Sequence, residues 1–203
     1  MSEENALDEK RLRSARPVRR ENLTDGTESL SVAFTGTNRL TRVAPVDRPS
    51  DVSVGRVAEI NIAANHEELP VAVERVRAVA GRGIEGDRNY RAEGDPRPDR
   101  DEDLTLIAQE ALDALSDETG VPLSAAESRR NVLTRDIDLN SLVGRRFAIG
   151  EVECEGIELC EPCRHLERLT RPGVLRGLVH RGGLRAAIVR SGEIVIGDQV
   201  APT

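Results

Sequence analysis

The chain has 203 residues, enough for one medium-sized domain with a real core plus a modest extension, and 38% of them are hydrophobic. Its 36 acidic against 29 basic residues give a net charge of −7, and its three aromatics are Phe34, Tyr90 and Phe147; a nucleic-acid binder, which needs a basic footprint and stacking platforms, is excluded. Three cysteines is an odd count that argues against a disulfide framework, and no apolar run approaches the roughly 18 residues that span a bilayer.

Residues 1–50 are polar, mixed in charge and aperiodic, with Pro17, Pro45 and Pro49 scattered among them. They read as a disordered or loosely packed N-terminal extension, with residues 51–203 as the folded domain. The basic run Lys10–Arg20 holds the sole lysine and allows a second reading, a docking arm for an acidic partner. Val32–Phe34 could add an edge strand. Arg19-Arg20 is followed by Glu-Asn-Leu-Thr-Asp-Gly, which offers no apolar region of an export signal. The expected location is the cytoplasm, with no membrane and no nucleic acid among the partners.

From Val54 the pattern changes. Val54–Ile62 predicts a strand whose two ends disagree in phase. Val71–Ala80 is ambiguous: Val71 and Val73 are spaced by two, whereas Val73, Val76 and Val79 are spaced by three. Gly81-Arg-Gly-Ile-Glu-Gly86 matches the dinucleotide fingerprint GxGxxG, but that mechanism needs a helix to begin there. The charged, proline-containing stretch Asp87–Asp103 has no apolar face, so the glycines read as a tight turn presenting Asp87 and Arg88.

Leu104–Ile107 predicts a strand running into a helix over 109–119, with Ala108, Ala111, Leu112 and Leu115 on one face and Gly120 and Pro122 as its stop. Ser124-x-x-Glu127 is a capping box opening a short helical turn before Arg129. Strands follow at 131–134, 145–149 and 152–159, the last with Gly156 as a bulge. A short helix from about Gly173 precedes a strand at 184–189, and the turn Ser191-Gly192 leads into a strand at 193–196. Many short strands with few helices predict a β-barrel of the mixed α+β kind, mostly β.

Between these lies Cys160-Glu-Pro-Cys-Arg-His-Leu-Glu167. Covalent haem attachment needs CxxCH, and Arg164 intervenes before His165. Structural zinc could draw on Cys154, Cys160, Cys163 and His165, but there is no second paired knuckle. A thioredoxin-like dithiol wants a βαβ context that is missing. Cys154 and Cys160 read best as small buried hydrophobes. With Pro162 at the first helical position, Leu166 and Leu169 fall at helical spacing and Cys163 enters the first turn. Unpaired amides there, with Arg164 and His165 adjacent, favour a thiolate that binds soft metals or attacks sulfur. Residue chemistry alone leaves Cys163 open between that role and packing.

Five segments in order, Gly83–Arg88, Arg129–Thr134, Leu142–Phe147, Glu161–Leu166 and His180–Arg185, resemble the MOSC domain, the C-terminal domain of molybdenum cofactor sulfurases. The resemblance spans roughly residues 54–200. It implies a MOSC-type β-barrel with a few short helices, use of molybdenum cofactor (molybdenum on molybdopterin), and Cys163 as the key cysteine. In reductase members that cysteine ligates molybdenum and N-hydroxylated compounds are reduced; in the sulfurase branch the domain handles sulfur on the cofactor. The resemblance therefore leaves three roles for this chain. It could be a molybdenum-dependent oxidoreductase with Cys163 as catalytic residue and metal ligand, a carrier of a Cys163 persulfide, or a non-catalytic cofactor-binding module. No pyridoxal-phosphate domain and no cysteine set for an iron–sulfur cluster accompany it, so a separate electron-donor or sulfur-donor protein is implied.

A molybdopterin site needs phosphate-binding forks and amide-matching polar groups. Arg129, Arg130 and Asn131 suit those tasks, since arginine binds phosphate bidentately. Arg88, His180 and Arg181 are further candidates, against the alternative of ordinary ion pairing with the many carboxylates. Asp87 reads as a residue that holds Arg88 in place.

Overall fold

A computed structural model describes residues 54–95 and 103–203, and the extension at 1–50, with its basic run, lies outside the described residues. Eleven strands and four helices are present among the described residues. β1 (Gly55–Ile62), β5 (Leu104–Ala108), β6 (Val132–Arg135), β7 (Arg146–Ile149), β8 (Val152–Leu159), β9 (Leu184–Arg190) and β11 (Gln199–Pro202) form a closed seven-stranded barrel. The order runs β11-β7-β8-β9-β5-β6-β1, and Gly55↔Val200 and Arg56↔Gln199 close it. β2 (Val71–Val73) adds to the free side of β1, and β10 (Gly192–Val195), β3 (Arg75–Val79) and β4 (Gly83–Ile84) make a separate small sheet.

All barrel pairings are antiparallel except β5–β6. A parallel pair needs a long crossover, and α1 (Gln109–Thr119) with α2 (Ala125–Ser128) supplies it. β5 and β6 are consequently buried on both faces. Leu106 and Val132 join the larger core cluster with Phe147, Ile149 and Leu184. Their neighbours Ile107 and Leu133 join a second cluster with Leu112, Leu115, Leu166 and Leu178, under the helices. Among the described residues no helix is long and apolar enough to cross a membrane.

The phase conflict in β1 is a bulge: its register against β6 shifts between Val57 and Glu59. The ambiguous valines resolve as two strands, β2 and β3, broken at Glu74 and sent to different sheets, so the spacing of three spans a break and no helix. The strand foreseen at 193–196 begins at Gly192, and β11 and β4 are strands the pattern did not reveal. Gly81-Arg-Gly-Ile-Glu-Gly86 is a pair of turns flanking the two-residue strand β4, with Gly81, Gly83 and Gly86 at positive φ, and no helix begins within 87–95. α1 keeps its expected bounds and stops at Gly120, φ 68°. The capping box forms in both directions, Glu127 N to Ser124 Oγ at 3.2 Å and Ser124 N to Glu127 Oε2 at 2.9 Å.

Two contacts fix the ends of the loops around the barrel mouth. Gly183, at φ 116°, approaches Leu106 so closely that a Cβ would lie 2.0 Å from its carbonyl oxygen. The Asp103 carboxylate accepts from Gly81 N at 3.1 Å, Ile188 N at 3.0 Å and Arg91 Nη2 at 2.8 Å, joining the glycine turn to β9.

Candidate functional site

Cys163 is exposed, whereas Cys154 and Cys160 are buried. Its helix, α3 (Arg164–Leu169), starts two residues later than its spacing suggests: Cys163 is the cap, extended at φ −131° and ψ 165°, and Pro162 lies outside. The segment before α3 is pinned into an extended path, because Cys160 N donates to Gly183 O at 2.8 Å and Cys160 O accepts from Arg130 Nη2 at 3.0 Å. The Cys163 side chain takes no hydrogen bond from the helix amides. The thiol is left free at the end of α3.

It opens on a cleft of about 220 Å³ lined by Arg88, Arg129 and Arg130 on one side and His165 and Leu166 on the other, with His66 and Asn89 completing the rim. Each arginine is delivered by a different constraint. Arg88 follows the glycine turn; its Nη1 lies 3.6 Å from Asp87 Oδ2 and its Nη2 donates to Arg129 O at 3.2 Å. Asp87 in turn accepts from Ala63 N, Asn89 N and Asn131 Nδ2 at 3.3, 3.0 and 3.2 Å, which makes it a strut for the loop. Arg129 caps α2 in the left-handed region at φ 62°, a conformation that costs a non-glycine residue about 1 kcal/mol or more. Its guanidinium donates to Glu68 O at 2.9 Å and His66 O at 2.5 Å, holding the 64–70 loop against the cleft. Arg130 points beneath, donating to Gly182 O at 2.9 Å through Nε and to Ser128 O at 3.2 Å through Nη1, besides Cys160 O.

Three guanidiniums therefore share the cleft, and among the described residues Asp87, beside Arg88, is the carboxylate within ion-pair reach of them. Arg129 and Arg130 register the crowding in their pKa values. Burial, then the charge of Arg88, lowers Arg129 against the pull of Asp87. Burial first, with Arg185 and Arg88 adding, lowers Arg130. Arginine stays charged even so, and the cleft is a positive concavity in a chain of net charge −7.

The other predicted residues sit elsewhere. Asn131 is buried below the cleft and its amide is fully used: Oδ1 accepts from Thr105 N and Oγ1 at 3.2 and 2.8 Å, and Nδ2 donates to Asp87 and to Asn61 O. His180 is exposed and pairs with Glu161 through its backbone N and Nδ1, both at 2.9 Å. Arg181 makes a two-pronged pair with Glu118 at 2.9 and 2.5 Å and lines a different cavity of about 530 Å³, with Asn140 and Ile137. Cys163 is thus brought together with Arg88, Arg129 and Arg130, and not with His180 or Arg181.

Sequence reasoning missed His66, whose loop carries no apolar pattern, and weighed His165 as a zinc ligand and as a positive charge beside Cys163. It also missed Asn61. This residue is 1% exposed, and neither Nδ2 nor Oδ1 has a partner among the described residues. Its position between Ile60 and Ile62 was the available signal. Those two belong to the barrel core, so alternation turns Asn61 to the opposite face, where Ala58 and Leu166 pack. Among the described residues no three His, Cys, Asp or Glu side chains converge to hold a metal ion. A metal at Cys163 would take its other ligands from a bound group.

Thiol chemistry separates the three cysteines. Burial, with the charges of Asp103 and Glu153 adding, pushes Cys154 up to about 12, so it is a thiol at any ordinary pH. A maleimide on the native protein is expected to label Cys163 alone, with Cys154 and Cys160 reacting after unfolding. Peptide mapping checks this, and native labelling of Cys154 at the rate of Cys163 would contradict the exposure pattern.

Comparison with known proteins adds the following. A family model for the MOSC domain matches residues 61–201. Among solved structures, the YuaD protein from Bacillus subtilis superposes with a TM-score of 0.64 at 17% identity, over 73% of this chain and 95% of its own. YiiM from Geobacillus stearothermophilus gives 0.56 at 13% identity, over 73% of this chain and 75% of that one. YiiM from Escherichia coli gives 0.54 at 15%, over 75% and 69%. No curated protein matches. At these identities the structures speak to the barrel fold.

Proposed function

Because the chain belongs to the MOSC domain family, a family linked to molybdenum cofactor, we propose that it binds that cofactor in the cleft beside Cys163 and reduces small N-oxygenated substrates. The observation that carries this reading is an exposed thiol opening on a concavity lined by Arg88, Arg129 and Arg130. Molybdopterin bears a phosphate, a polar pterin and a dithiolene, and the donor set fits. Planar guanidiniums match phosphate oxygens, and Cys163 Sγ supplies one soft ligand where the protein offers no closed metal cage. The cleft is smaller than the roughly 300 Å³ or more of a drug-sized pocket, so it would take one end of the group while the rest lies along the open rim. Arg88 and Arg129 would hold the phosphate, and Arg130 would keep the cysteine segment in place. A polar edge reaching Asn61 would satisfy a buried carboxamide that has no partner among the described residues.

The bound group would supply a metal that cycles by two electrons. The chain's own residues do the rest. Cys163 would hold the metal through its thiolate, and His165 and His66, both on the rim, are the groups that would carry protons to the substrate. For a hydroxylamine the balance is R–NHOH plus two electrons and two protons giving R–NH₂ and water. The electrons come from a separate protein.

A second reading, a Cys163 persulfide for sulfur delivery, is favoured by the same exposure of the thiol. One measurement separates the two. Protein made in a cofactor-competent host is expected to carry stoichiometric molybdenum and pterin, and Cys163→Ser to lose the molybdenum. Metal-free protein whose Cys163 peptide is heavier by one sulfur atom would overturn the reductase reading in favour of the carrier.

A further inference from the structure

α3 presents two faces. His165 and Leu166 line the cleft. Arg164, Glu167 and Arg168, at helical spacing i, i+3 and i+4, line a second concavity of about 520 Å³ together with Arg171 just past the helix end. The carboxylates here are already committed: Glu167 Oε2 accepts from Leu175 N at 2.8 Å, and Glu127 pairs with Arg171. Arg164 and Arg168 are exposed, and no carboxylate among the described residues lies within ion-pair reach of either. The one polar side-chain contact of Arg168 is His165 Nδ1 at 3.4 Å. Two like charges four apart on a helix repel and do nothing for the fold. In a chain with an excess of carboxylates, such a pair is the opposite of the average surface. Leu169, 42% exposed, is the last residue of the same helix.

We propose that this face of α3 docks an acidic protein, the carrier that brings electrons to the cleft; the inference rests on the reductase reading above. Arg164 follows Cys163 directly, so a partner seated on Arg164 and Arg168 comes up beside the thiol at the start of the same helix. Complementary charge steers such an encounter, raising its rate roughly 10- to 1,000-fold in a salt-dependent way, and a small interface suits transient electron transfer. The surface is poorly suited to a small anion, because the concavity is open, Arg171 is neutralised by Glu127 and Glu167 adds a negative charge to its wall. It is poorly suited to nucleic acid, because no aromatic side chain lines it for base stacking.

The test uses the full chain and an acidic flavodoxin as probe, with binding followed by calorimetry at low and high salt. Wild type is expected to bind weakly, with affinity falling as salt rises. R164E/R168E should weaken binding at least about tenfold at low salt, Arg164→Gln with Arg168→Gln should give a smaller loss, and Arg190→Glu, an exposed change on β9, should leave it unchanged. Circular dichroism confirms that each variant folds. Cys163→Ser, which lacks the proposed metal ligand but keeps both arginines, should bind like wild type. Docking by a molybdenum-free protein thus separates failure of the cofactor reading from failure of this one. Binding that ignores salt, binding that survives R164E/R168E, or an R164E/R168E-sensitive complex formed with single-stranded RNA and not with flavodoxin overturns the proposal.

Discussion

Arg130→Met is expected to lower the midpoint of thermal unfolding by about 10 °C and to unmoor the cysteine segment. The guanidinium satisfies three main-chain carbonyls, those of Ser128, Cys160 and Gly182, at 3.2, 3.0 and 2.9 Å. Each buried acceptor left without its donor costs about 1–3 kcal/mol, and because the three share one site their losses do not simply add. A total of about 3–5 kcal/mol corresponds to that shift for a domain of this size. Methionine matches much of the stem, so lost packing contributes little. A lysine at this position is expected to recover about half of the loss, because one ammonium cannot span three carbonyls held by a planar fork. A second readout is specific to the site. Cys160, 3% exposed in the native protein, should become reactive to maleimide under native conditions in Arg130→Met. Calorimetric scans together with peptide mapping check both, and a variant with wild-type stability and a silent Cys160 would show that Arg130 does not hold the segment.

Asp103→Leu is expected to cost about 3–5 kcal/mol, the penalty for removing one partner of a buried ion pair. The carboxylate and Arg91 have side chains 2% and 11% exposed. Leucine would remove an acceptor for Gly81 N and Ile188 N as well. The pH dependence has a definite sign. Burial raises the Asp103 carboxyl above its ordinary 3.8, outweighing the donors Ile188 N, Arg91 and Gly81 N. The native state therefore holds a proton at pH values where the unfolded chain has released it. Its contribution grows as pH falls through that window, and the stability gap between wild type and Asp103→Leu should widen on acidification from neutral towards pH 4. Urea titrations at several pH values measure the gap. One that narrows would mean that the ion pair, and not burial, dominates at this site.

Much of the fold was legible because it is encoded within short windows. The period of α1, its Gly120 stop and the Ser124–Glu127 box depend on residues within about one turn of each other. Each appears where the pattern put it. The GxGxxG segment was rightly set aside, since its downstream residues lack an apolar face. The family was legible because five weak segments stand in one order, and the MOSC match over residues 61–201 bears that out.

Other features depend on pairings between distant residues. Residues 71–80 carry one run of valines, yet Val71–Val73 pairs with β1 and Arg75–Val79 with β10, more than a hundred residues away. β11 holds four residues, ends in proline and is a strand because β1 and β7 bracket it. The site divides in the same way. The exposure of Cys163 and the charge around it follow from residues next to it in sequence. Which arginines face it does not. Arg129 and Arg130 stand side by side in the chain, yet a left-handed cap at Arg129 sends the two to different carbonyls, and Arg181, two residues before Gly183, is drawn off by Glu118 to another cavity. By itself the sequence determined the barrel class and the family and singled out Cys163 as the candidate thiol, because periodicity and motif order are local properties. The tertiary structure alone decided which cations surround that thiol, because a guanidinium on a long stem goes to whichever carbonyl or carboxylate the closed barrel brings within reach.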